Sequence, residues 1–457
     1  MKVEDKVIEW IENFKYEDLT ERDIDIIKKQ ILTYVGCVIA GSSNVGCEEV
    51  VEIAKDLGGK EEATVLVHGG KVPAQQAAFV NGVMGRALDV CDHAQPGIHI
   101  GSGMISAVLA AAQAWGIEMS GKDFMTALAV GDEFGFRFNL EEEDYHGFDP
   151  TGIAVVMACA AGVAKVLGMD HKTALHTMAL AYNRCGGSFQ CNIDGALGVR
   201  IIEGWVAQAG VECARLAAAG LTGPVNFLSG VYSYHHLFTL DRTTAEAEFA
   251  DLGEAPLKAP MLGFKKYPSC GMTQGSTQLT LDMMNEYGIK AEDVDHIVLT
   301  LPTYGYNLVG TFSLGDNPKV DAQFGTPYCI ANALVRREVK LAHFEPEYIL
   351  DDEVLEFAKK IETVCDPSID HTRPHYASNL DIYMKDGTVY NGQTDISPGT
   401  KEAPLEDADF KRRFYDCVDF TNKPFINERA DAIYEMCLKV DELDDIYELF
   451  NFITKQD

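Results

Sequence analysis

At 457 residues the chain is longer than one ordinary core can fill, so a two-domain enzyme is the starting expectation. With 47% hydrophobic and 24% charged residues the composition is that of a globular protein and excludes a disordered or fibrous chain. A formal net charge of −32 repels phosphate backbones and anionic membrane surfaces over roughly 8–10 Å, which excludes nucleic acid as a partner and makes any local cluster of Lys, Arg and His informative.

Residues 1–10 are charged and amphipathic rather than a signal peptide, which points to the cytoplasm. From Asp23 to about Gly220 apolar residues recur at helical spacing, predicting helices over 23–40, 73–88, 102–115, 121–138, 152–167 and 198–219. Glu133 and Arg137 stand four apart on one of them, the spacing of an intrahelical ion pair. The longest uncharged apolar stretch, 151–164, falls short of the roughly 20 residues that cross a bilayer, so no membrane span is expected. Twelve cysteines are scattered from Cys37 to Cys437 without a CxxC pair or zinc spacing and read as reduced core residues.

After Pro260 the pattern changes. A helix over 275–287 leads into a branched run, 296–301, that reads as a strand, and 380–384 with 388–390 flank Asp386-Gly387 as a β-hairpin. Helical periodicity returns over 407–452. The predicted fold is mainly α: a large all-α domain over 1–262, a smaller α+β lid domain over 263–404, and C-terminal helices over 405–457 that pack back on the helical domain.

Three segments combine ionisable residues with backbone punctuation. In the first, 87–103, Pro96-Gly97 breaks the chain and Ser102 is a reasonable N-cap for the next helix, which sets His99 just before a helix N-terminus. Such an end offers free N–H groups and a positive dipole to a substrate carboxylate, and Asp89 and Asp92 are near enough in sequence to orient a histidine as a base. The second, 263–271, places Lys265 and Lys266 beside Tyr267-Pro268 at the expected domain junction, where a lysine binds a carboxylate or moves a proton. In the third, 321–334, Tyr328 opens an apolar helix behind a proline, with a core aromatic as the plainer reading. Arg200 has the guanidinium geometry to clamp a carboxylate. The chain lacks a P-loop, a GxGxxG after a strand, HExxH, GxSxG and a close cysteine set, so neither a metal nor another cofactor is expected.

Taken in order, Val80-Asn81-Gly82, Ala87-Leu88-Asp89, His99, Gly131-Asp132-Glu133 with Arg137, Leu221-Thr222-Gly223-Pro224, the run from Phe264 and Lys265 to Pro268 and Cys270, and Phe324 to Tyr328 resemble the MmgE/PrpD family nearly end to end. That family includes 2-methylcitrate dehydratase, cis-aconitate decarboxylase and iminodisuccinate epimerase. The resemblance implies a helical domain, an α+β lid and a cleft between them, in a homodimer. It also implies catalytic roles for His99, Asp89, Lys265 and Tyr328 and a basic substrate-binding position at Arg200, with His93 in place of a threonine of the decarboxylase; Ser102 at the helix end and Lys266 at the domain junction are further substrate-binding candidates along with His93. Departures mark a divergent member: Cys270 stands where the decarboxylase has a histidine, and Thr273-Gln274 replaces the frequent Thr-His.

The expected activity is that of a cofactor-independent lyase, a dehydratase or decarboxylase, acting on a small di- or tricarboxylate. In that scheme Arg200, Lys265 and the helix end near Ser102 hold two carboxylates. His99, oriented by Asp89, moves a proton, and Tyr328 or Lys265 stabilises the enolate-like intermediate. The alternatives are an epimerase of an amino- or imino-dicarboxylate and, from another class, a non-catalytic helical binding protein.

Overall fold

The computed structural model of the chain describes residues 1–455. The fold is mostly helical with a small sheet. Ten helices come first: α1 (Val3–Asn13), α2 (Glu21–Gly41), α3 (Cys47–Leu57), α4 (Ala74–Arg86), α5 (Gly101–Trp115), α6 (Gly121–Arg137), α7 (Pro150–Val166), α8 (His171–Tyr182), the single turn α9 (Gln190–Ile193) and α10 (Ile201–Ala218). The helices predicted between 23 and 219 are all present, with ends displaced by no more than three residues, as expected where frayed ends are set by caps rather than by periodicity.

Those caps are readable. Thr20 and Ser120 each close a capping box with Asp23 and Asp123, and Asp149 accepts the Thr151 amide ahead of Pro150 to start α7. Every residue of α7 from 150 to 164 is buried, because a helix apolar on all faces can only be stable in the middle of a bundle. It packs against α5, α6, α8 and α10. Helices α4 and α10 approach closely because glycines face each other: a Cβ at Gly82 would lie 2.8 Å from the Glu203 carbonyl oxygen, and one at Gly204 would lie 2.7 Å from that of Phe79. The predicted pair forms, with Arg137 Nε donating to Glu133 Oε1 at 2.7 Å.

Two-residue strands β1 (Ala63–Thr64) and β2 (Lys71–Val72) pair with each other, as do β3 (Asp92–His93) and β4 (Gly263–Phe264). The main sheet has the order β6-β5-β7-β8, from β5 (Val294–Leu301), β6 (Ile361–Cys365), β7 (Ser378–Met384) and β8 (Val389–Thr394). Strands β5 and β6 run parallel and the other pairs antiparallel. The hairpin between β7 and β8 turns at Gly387, whose φ of 91° is why glycine serves there. Helices Gly271–Tyr287 and Thr326–Arg336 pack on one another and against this sheet, closing a second apolar core with Leu299, Leu380 and Ile382.

After the sheet the chain returns to the first core, where helix Asp407–Phe420 lies along α2 and contributes Phe410, Phe414 and Val418. The periodic stretch expected over 407–452 is broken by Pro424 and by the turn near Leu443 into shorter helices. None of the cysteines is in a disulfide, and no helix among the described residues is long and apolar enough to cross a membrane.

Candidate active site

The β3–β4 pairing builds the site. It registers Asp92 with Phe264 and His93 with Gly263, so the loop after α4 and the lysine segment lie side by side although they are far apart along the chain. Gly263 is required for this contact, since a Cβ there would sit 2.6 Å from the His93 ring and 2.7 Å from the Gly399 carbonyl oxygen. The next residue but one, Lys265, is thereby carried onto the loop of Asp89, His93 and His99.

A cavity opens at this junction. Its lining includes Arg86, His93, His99, Asp149, Thr151, Lys265 and Cys270, with Tyr304 and Leu308 shared with an adjoining surface groove. Lys265 is 2% exposed, and its Nζ donates to Asp89 Oδ1 at 2.7 Å. The same oxygen accepts from Arg86 Nη1. Burial pushes the Asp89 carboxyl up, but the Arg86 and Lys265 charges outweigh it and hold the group below the usual carboxylate range. One carboxylate between two cations leaves a net positive charge beside the cavity. Two polar atoms here, Arg86 Nε and Asp89 Oδ2, are buried without a protein partner.

The half-buried His99 is fixed by the backbone. Its Nδ1 lies 2.8 Å from the Asp92 carbonyl oxygen, and because a carbonyl can only accept, Nδ1 carries the proton and Nε2 the lone pair. Burial, reinforced by the Arg86 and Lys265 charges, pushes the imidazole well below its ordinary pKa. It is a neutral acceptor at physiological pH. His93 is likewise driven down, to about 3, chiefly by burial, and its Nε2 has no protein partner. Burial also lifts the Cys270 thiol to about 11 and the Asp149 carboxyl to about 6.

Comparison with known proteins matches both halves of the chain to one family. Residues 5–246 match the MmgE/PrpD N-terminal domain and residues 267–439 the MmgE/PrpD C-terminal domain. The chain belongs to the MmgE/PrpD family. It is 22% identical to a cis-aconitate decarboxylase of Mus musculus over 95% of this chain and 90% of the relative. To a cis-aconitate decarboxylase of Homo sapiens it is 23% identical over 88% and 85%. A cis-aconitate decarboxylase-like protein, oryM, of Aspergillus oryzae is 22% identical over 97% and 96%.

In this MmgE/PrpD chain, His99, His93 and Lys265 line one cavity with Asp89 beneath it, while four other expected site residues lie elsewhere. Tyr328 is fully buried between Phe312 and Phe344, and its hydroxyl donates to the His343 carbonyl, so it is a core aromatic. Ser102 is not the cap of α5 but its second residue, buried off the cavity. The helix end it was expected to offer is taken by Asp92, whose Oδ2 accepts the Gly101 amide at 2.8 Å. Lys266 turns away towards Asp409, 3.5 Å distant. Arg200 is buried behind the site, donating at 3.4 Å to Val45 O and Gln323 Oε1. Nor does Asp89 orient His99: the Asp92 carbonyl does so, and Asp89 instead positions two cations.

Arg86, Asp149 and Gln323 are site residues that pattern reading missed. Arg86 stands three before Asp89, a spacing that signals a pair at a helix end. Asp149 directly precedes Pro150, an N-cap signature. Gln323 carries no local signal, yet its Nε2 donates to Leu88 O at 2.9 Å and Pro268 O at 3.2 Å, tying the two site loops together. Gln274 does similar work within the lysine segment, accepting the Lys266 and Tyr267 amides at 3.1 and 3.0 Å.

Proposed function

We propose that this protein is a cofactor-independent lyase acting on a small di- or tricarboxylate by proton transfer next to a carboxylate-bearing carbon. The observation that carries the reading is a neutral imidazole with its free nitrogen at a cavity that also presents Lys265 and Arg86. A carboxylate substrate needs cations, and the paired charges around Asp89 provide them without letting either side chain swing free. His99 takes the proton through Nε2. Lys265 and Arg86 hold the carboxylates and stabilise the enolate-like intermediate in a site shielded from water. The likeness to cis-aconitate decarboxylases supports decarboxylation, and dehydration uses the same groups.

In this reading residues 1–262 form the helical body, 263–404 a lid that closes over the substrate and 405–457 the segment that locks onto the body. The enzyme works as a homodimer in the cytoplasm. The test is a mass-spectrometric screen of di- and tricarboxylates, amino- and imino-substituted ones included, with purified protein in deuterated buffer. Loss of carbon dioxide or water from one of them is the expected result. A stereoisomer with exchanged hydrogen would make the protein an epimerase, and no change in any compound would leave a binding protein.

A further inference from the structure

Either lyase reaction must give a proton, to carbon in decarboxylation or to the leaving hydroxyl in dehydration, and most of the cavity cannot give it. His93 is unprotonated at physiological pH, the Nδ1 proton of His99 is committed to the Asp92 carbonyl, Lys265 is paired with Asp89, and burial makes Cys270 hold its proton tightly. Tyr304 lies where the cavity meets the outer groove. Asp149 remains, buried in the cavity wall at the start of α7.

We infer that Asp149 is the proton donor of this site, acting on the same substrate as His99. The inference rests on the lyase reading above and adds to it the identity of the acid. Its geometry is fixed by the helix start, because Asp149 Oδ1 accepts the Thr151 amide at 3.0 Å. The Thr151 hydroxyl in turn accepts the His99 amide at 3.3 Å, so one residue ties the acid and the base to a common frame. The charged groups that act on Asp149 are Arg86 of α4 and Glu203 of α10, and His99 and Lys265 line the same cavity. Burial pushes the Glu203 carboxyl up as well, and any negative charge on it favours a proton on Asp149. Burial sets the Asp149 carboxyl at about 6, near the pH at which an acid both holds and releases its proton.

The step balances for either lyase reaction. In decarboxylation the C–C bond to the departing carboxylate breaks, carbon dioxide leaves, the electron pair stays on carbon, and the Asp149 proton forms the new C–H bond. Solvent then returns a proton to Asp149. In dehydration His99 takes the C–H proton while the Asp149 proton joins the hydroxyl, which leaves as water with the C–O electron pair.

Asp149→Asn keeps a good helix cap and so separates chemistry from folding. Two measurements on the full-length protein decide the matter. Infrared difference spectra of wild type against the variant should show a protonated carboxyl that ionises near pH 6 and is missing from the variant; a carboxyl already ionised at pH 5 overturns the inference. On any polycarboxylate that wild type converts, the variant should lose roughly 10²–10⁴-fold in kcat while binding of tricarballylate, a saturated tricarboxylate, changes less than about twofold. Turnover within about tenfold of wild type would overturn it as well. If wild type converts no polycarboxylate, the lyase reading fails, and the infrared titration alone decides whether Asp149 carries the proton.

Discussion

Asp89 sits between Arg86 and Lys265 with a φ of 55°, a left-handed conformation that aspartate tolerates better than most side chains. Neutralising it strands two buried cations. Asp89→Asn should therefore lower stability by about 3–5 kcal/mol in urea denaturation at pH 7.5, the loss expected when one member of a buried ion pair is removed. The histidines make the fold sensitive to acid. His93 has a pKa of about 3 in the folded protein against about 6.5 in the unfolded chain. Folding favours its neutral form, so its contribution is complete above about pH 6.5 and is lost as the pH falls below that value, at about 1.4 kcal/mol per unit. Between pH 7.5 and pH 5 a His93→Asn variant should lose about 2 kcal/mol less stability than wild type, measured by denaturation at both pH values.

Among the elements, long helices were legible from their apolar period, as in α7, whose Asp149-Pro150 start lies two residues before the expected one. The hairpin of β7 and β8 was legible through Asp386-Gly387. Strands β3 and β4 were not, since two residues carry no period and their pairing depends on Gly263 meeting His93 from a distant part of the chain. Ser102 misled for a related reason: its sequence position suits a cap, but Asp92 reaches the helix end through space. Close helix contact gives a prediction of its own. Gly204→Ala places a methyl against the Phe79 carbonyl and should separate α4 from α10, lowering stability by roughly 1–3 kcal/mol in thermal or chemical denaturation.

At the scale of the whole molecule, the site depends on segments from both cores meeting at one cavity. Loop 87–100 and the start of α7 bring His99, His93 and Asp149, while the segment after β4 brings Lys265 and Cys270. The chemical types at this meeting place could be read from the sequence: an imidazole, a lysine and an aspartate in motifs that resemble one family. Their roles could not, because a role depends on which atom faces which. The duty expected of Asp89 fell to the Asp92 carbonyl while Asp89 pairs with Lys265, and Tyr328 went to the second core because an aromatic behind a proline packs equally well there. The most direct test is the turnover of the best polycarboxylate substrate by His99→Ala, with circular dichroism and thermal unfolding confirming the fold. Turnover and solvent-deuterium incorporation should both disappear while the unfolding transition stays cooperative. Undiminished turnover in the folded variant would contradict the account.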